Sequence, residues 1–114
     1  MPSVEAHDQK YSSNMGVAEN LYGIQNPPYD WIVTVYFYAA LHLVEKKLAP
    51  LGVHAADHRE RNEKVRKLFR KISVYYESLY LESQNARYDC IEITPGKANL
   101  AKNHLEKIRE YLEE

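Results

Sequence analysis

The chain has 114 residues, the size of one domain, and its 45% apolar content against 27% charged is enough to offset the ordering entropy of folding, which excludes a disordered chain. Fifteen basic and sixteen acidic residues leave a net charge of −1, so no overall field draws the protein to nucleic acid or anionic lipid, and any such binding must be local. Apart from Pro2, glycine and proline sit at 16, 23, 27, 28, 50, 52, 95 and 96 and leave long uninterrupted stretches, which suits helices and excludes a many-stranded sandwich.

Residues 1–12 are polar, do not read as a signal peptide, and are expected to be frayed and flexible; Ser13 to Leu21 suits a short helix ending near Gly23. Pro27 and Pro28 stop that element and open the next, because proline at a first helical position forfeits no hydrogen bond. A helix from about Pro28 to Leu48 follows. In it Trp31, Val35, Tyr38, Ala39 and His42 share one face, and Val33, Phe37, Ala40, Leu41, Val44 and Leu48 share the opposite one. A helix apolar on both faces must be covered on both, and so short a chain is expected to leave part of that cover to a second copy, making a homodimer through the second helix. The greasiest run, Trp31 to Val44, contains Thr34 and His42 and falls short of the ~20 residues a bilayer span needs, so no membrane segment is expected.

Pro50, Gly52 and a polar turn end the second helix, and Asp57 with Glu60 forms a variant capping box for the next, predicted to run to about Lys71. Val65, Leu68, Phe69 and Ile72 give it a core face. Arg59, Arg66 and Arg70 stack along a second line and Lys64, Lys67 and Lys71 along a third, so its outer surface is strongly basic and is a candidate RNA-binding stripe; the plainer reading is a solvated face. From Ile72 the pattern continues through Tyr76, Leu79, Tyr80 and Ser83 toward Arg87 with no glycine or proline, so residues 57–88 read as one helix or two. Thr94 and Pro95 open a last helix, in which Ala98, Ala101, Leu105, Ile108 and Leu112 make an amphipathic stripe. The whole, residues 1–114, is expected to be a single all-α domain, an antiparallel bundle. The lone Cys90 has no internal disulfide partner and no nucleophile signature around it, and a reducing cytoplasm fits.

Asp30-Trp31 leading into Tyr36-Phe37-Tyr38-Ala39-Ala40-Leu41-His42 resembles the second helix of prokaryotic HEPN-domain proteins, and Gly52-Val53-His54, His58-Arg59-Glu60-Arg61, Tyr76-Glu77-Ser78-Leu79-Tyr80 and Ser83-Gln84-Asn85-Ala86-Arg87-Tyr88 follow in the same order. The resemblance covers roughly residues 29–112. It implies a four- to five-helix bundle, usually dimeric, in a superfamily of metal-independent ribonucleases of toxin–antitoxin and defence systems, some paired with a nucleotidyltransferase-type antitoxin, and of non-catalytic members. Catalytic members carry an arginine followed within two helical turns by a histidine. This chain departs from that, because the histidine that follows its arginines, His104, lies far beyond Arg87.

His58 and Arg61 fall on the helical arc of Val65, Leu68 and Ile72 and so point inward. With the turn near Ser73 that the resemblance implies, Ser83 and Arg87 return to the same pole, joined by His42 and Glu45. One reading is catalytic: guanidinium groups of Arg61 and Arg87 hold a phosphate, Ser83 assists, and His58, near pKa ~6.5, moves a proton so that RNA is cut through its 2′-hydroxyl without metal. The other is an internal network, with Arg61 or Arg87 pairing Glu45 or Asp30, His58 capping and Ser83 bonding backbone, since buried polar networks often specify packing without catalysing anything. His42, alone on an apolar face, reads as a satisfied core histidine.

Gly52 puts His54 in a loop, away from His58, so no metal site is expected, and no glycine-rich phosphate loop or other cofactor signature is present. Tyr36, Tyr38, Tyr76 and Tyr80 lie at helical spacing and read as core before base-stacking surface. Two functions remain open: a HEPN-like dimer in an RNA- or nucleotide-linked pathway, or a non-enzymatic helical module that assembles with a partner protein.

Overall fold

The structure, a computed structural model, describes residues 2–113. Its helices are α1 (Val4–Tyr22), α2 (Tyr29–Leu48), α3 (His58–Leu68), α4 (Ser73–Tyr88) and α5 (Pro95–Leu112), with single 3-10 turns at Ala49–Leu51 and Arg70–Ile72. The described residues contain no strand, in keeping with the expected all-α bundle, and no helix long and apolar enough to cross a membrane.

Helix α2 is central. It packs against α1, α4 and α5, and α4 packs against α5 in turn. Ile32, Val33, Phe37, Ala39, Ala40, Val44 and Leu48 are wholly enclosed, so the chain's own helices cover both faces of α2. The radius of gyration, 13.7 Å, is close to the ~13 Å of a folded chain of about this size. The shortage of cover that favoured a second copy at α2 therefore does not arise. The exposed end is Trp31, which is 59% exposed where the pattern had placed it on a covered face.

The missing cover comes from α1, which begins at Val4 and not at Ser13. The Ser3 hydroxyl accepts from the Ala6 amide at 3.1 Å and caps the helix. Three contacts then hold this polar segment to α2: the buried His7 ring against His42, the Asp8 carboxylate against Lys46, and half-buried Tyr11 on the core. Its order is tertiary in origin, since its own composition is polar.

Helix α3 is capped as its sequence indicates, with the Asp57 carboxylate accepting from the Glu60 amide at 2.8 Å and Glu60 reaching back to the Ala56 amide at 3.2 Å. It stops at Leu68, three residues short of Lys71, because Phe69 leaves the helical region at φ −129, ψ 56. Residues 57–88 are therefore two helices. The bend lets Ile72, Tyr76 and Leu79 enter the core, while Leu68, assigned to the core face, stays 48% exposed. Helix α4 ends at Tyr88 with Asp89 as its C-cap, and Cys90 takes the left-handed conformation (φ 54) that glycine usually supplies after a helix. Helix α5 follows its predicted stripe: Ala98, Ala101, Leu105, Ile108 and Leu112 are all buried, behind a Thr94 cap on the Lys97 amide.

That stripe sets a contrast within one helix. Ile108→Ala empties a fully buried site and is expected to cost about 2–5 kcal/mol, whereas Leu100→Ala, at a site 54% exposed, should stay within about 0.5 kcal/mol. Urea denaturation of the two variants measures the difference.

Candidate functional site

The second half of α2, the first turn of α3 and the second half of α4 bring their polar residues to one flank. Glu45 of α2 is 4% exposed and would be an isolated buried charge but for Arg61 of α3, whose Nε donates to its Oε1 at 2.6 Å. The Nη1 of Arg61 also lies 3.4 Å from the Nδ1 of His58. A guanidinium only donates, so His58 accepts at Nδ1 and carries its proton on Nε2. The imidazole packs 5.6 Å from the rings of both Phe37 and Tyr80. Burial, followed by the charges of Arg61 and Arg87, holds the His58 pKa below its usual value against a smaller opposing effect of Asp57, so it is neutral at pH 7.

On α4, the Nε of Arg87 donates to the Ser83 carbonyl at 3.2 Å, Nη1 to the Tyr38 hydroxyl at 2.9 Å and Nη2 to the Ser83 hydroxyl at 3.3 Å. Ser83 itself donates to the Tyr80 carbonyl at 2.7 Å. The guanidinium also lies 5.0–6.0 Å from the rings of Tyr88, Tyr38 and Phe37. Among the described residues Arg87 forms no ion pair, whereas Arg61 is paired with Glu45.

Of the residues expected at this pole, His58, Ser83 and Arg87 contact Phe37 or Tyr80, and Arg61 joins them through His58, so the four form the pair His58–Arg61 and the pair Ser83–Arg87. Their bonds follow the internal-network reading in two respects: Arg61 pairs with Glu45, and Ser83 bonds backbone. They depart from it in one, because Asp57 and not His58 caps α3. Tyr76 is fully enclosed beside the pair, and burial drives its pKa upward.

Sequence reasoning missed His7. Its Nδ1 lies 3.0 Å from the Nδ1 of His42, so one ring donates and the other accepts. His42 is held down to about 4, by burial first and then by His7 and Lys10, and His7 is lowered by burial. The spacing of His7, Tyr11, Met15 and Ala18 is a helical stripe that would have revealed the buried face of α1.

The helix expected to carry the basic stripe ends within it. Arg59, Lys64, Arg66 and Lys67 are on α3, but Arg70 and Lys71 lie beyond its end on a 3-10 turn. Arg66 is 2.9 Å from Glu77, Lys71 lies over the Tyr111 ring, and Arg59 and Lys64 share a shallow depression with Asp57, Glu60 and Glu63. No group of three or more metal-binding side chains occurs among the described residues. Compared with known proteins, the chain matches no protein-family model, no curated protein and no solved structure.

Removing one member of the buried pair leaves the other charge uncompensated. Arg61→Ala or Glu45→Ala should therefore cost about 3–5 kcal/mol, while the double change Glu45→Leu, Arg61→Met is expected to recover most of the loss. Chemical denaturation of the three variants checks this.

Acid acts through the histidine pair. An unfolded His42 binds its proton near 6.5, a folded one only near 4, so its contribution is complete above about pH 6.5 and falls away as the pH drops toward 4. The urea midpoint should decline over that window, and His42→Gln should remove part of the decline.

Proposed function

We propose that this protein is a HEPN-like helical bundle acting in an RNA- or nucleotide-linked pathway of the toxin–antitoxin or defence kind, and that it acts there by binding and not by cutting. The observation that carries this reading is Arg87, a half-buried guanidinium steadied by Ser83 and Tyr38 and without a carboxylate partner among the described residues. Such a group is a preset seat for an anion, phosphate above all, because its remaining N–H donors and its charge are unspent.

The neighbouring chemistry favours binding over cleavage. A ribonuclease of the metal-independent kind needs a base free to take a proton, and the Nδ1 of His58 instead faces the Arg61 guanidinium at 3.4 Å. Arg61 in turn is committed to Glu45. Partners in this reading are a second copy or a nucleotidyltransferase-type antitoxin. The apolar surfaces open to either are Val74 and Leu81 of α4 with Leu100 of α5, and the Trp31 end of α2.

Purified protein incubated with tRNA, mRNA and short oligonucleotides should bind RNA with an affinity that falls as salt rises, and should leave the RNA intact. Cleavage that persists in chelator and disappears in His58→Ala would replace this reading with a ribonuclease. If no RNA binds even at low salt, the protein is an interaction module for a partner protein.

A further inference from the structure

The first turn of α2 and the last turn of α4 enclose an open groove of about 390 Å³, lined by Asp30, Trp31 and Thr34 on one side and Ala86, Arg87 and Tyr88 on the other. Its size is at the lower end of the about 300–1,000 Å³ typical of small-molecule sites. Two large aromatic side chains line it and remain in water: Trp31 is 59% exposed and Tyr88 66%. Leaving such rings uncovered forfeits more burial than for any other side chains, so their presence at one depression marks it as a place for a flat apolar partner. Arg87 lines the same groove, its guanidinium 5.0 Å from the Tyr88 ring and held by Ser83 and Tyr38.

We infer that this groove binds a single nucleotide, with the base against Trp31 and Tyr88 and the monophosphate on Arg87. The inference rests on the nucleotide-linked reading above and identifies its ligand and place. An aromatic plane joined to one anionic group is what the groove complements, since aromatic faces accept any base and Arg87, the cation among the residues lining it, takes one phosphate. The Asp30 carboxylate, which also forms no ion pair among the described residues, adds an acceptor for base N–H groups or ribose hydroxyls. It also disfavours a longer phosphate tail, which would bring further negative charge beside it. Thr34 is less available as a donor, because its hydroxyl already donates to the Asp30 carbonyl at 2.9 Å. A free nucleotide and an unpaired nucleotide within an RNA strand share this chemistry.

Trp31 is the chain's single tryptophan, so its emission reports directly on the groove. AMP, ADP, ATP, adenosine, inorganic phosphate and a short oligoadenylate are titrated into the full chain while tryptophan fluorescence is followed. The expected result is saturable quenching, with AMP binding more tightly than adenosine, phosphate or ATP if free nucleotide is the ligand, and with oligoadenylate far ahead of AMP if the strand is. Tyr88→Ala, a change at an exposed site, should weaken binding by about fivefold or more, and Arg87→Gln by about tenfold, with helical content unchanged by circular dichroism. Should Arg87→Gln fail to fold, Tyr88→Ala decides alone. Unchanged Trp31 emission with every probe, or quenching of equal affinity in Tyr88→Ala, overturns the groove. Oligoadenylate binding seen by fluorescence anisotropy of a labelled strand separates the two levels. If it binds while Trp31 emission stays constant, the RNA-linked reading survives without this groove, and if it does not bind either, both fall.

Discussion

Helix α2 has apolar side chains on all sides, and the fold follows from the need to enclose it. An apolar helix left half in water loses the burial that stabilises it, so every long helix of this small chain is arranged around α2. Helices α1, α4 and α5 share the cover, which explains why a polar N-terminal segment is helical at all: it is one wall of that enclosure. The same constraint leaves little surface for dimerisation at α2 beyond its first turn, where Trp31 emerges.

Enclosure has a polar consequence at the late turns of α2. Glu45 and His42 are carried inward with their apolar neighbours and must be satisfied there, Glu45 by Arg61 and His42 by His7. These two contacts tie α3 and α1 to the central helix. They also occupy the groups that would otherwise make a catalytic pole, since an arginine neutralised by a buried glutamate has no charge to spare for a substrate. Arg87 differs because its partners are neutral oxygens and aromatic faces, and it keeps its charge at the surface end of α4. The arginine committed to the fold reaches the Phe37–Tyr80 cluster through His58, while the one open to an anion lies over Phe37 itself.

Much of the architecture was legible in advance. The Thr94–Pro95 start and the three-and-four spacing of α5 specified a buried face that the structure reproduces residue by residue, and the Asp57–Glu60 cap located the start of α3. The inward direction of His58 and Arg61 was legible from helical phase alone. The meeting of those two with Ser83 and Arg87 depended on a bend that no glycine or proline announces. At Phe69 the backbone leaves the helix because Ile72, Tyr76 and Leu79 gain more by entering the core than four more helical residues gain by continuing.

Local signals thus determined that this protein is helical, where three of its helices begin or end, and which stripe of α5 is buried, because capping, proline placement and hydrophobic period act over a few residues. Only the tertiary structure decided that α3 stops at Leu68, that Arg61 belongs to Glu45 while Arg87 pairs with no carboxylate among the described residues, and that Trp31 and Tyr88 line one groove. Each of these depends on which distant side chain arrives opposite, and that is set by how the helices close around α2, a global packing condition that no window of the sequence contains.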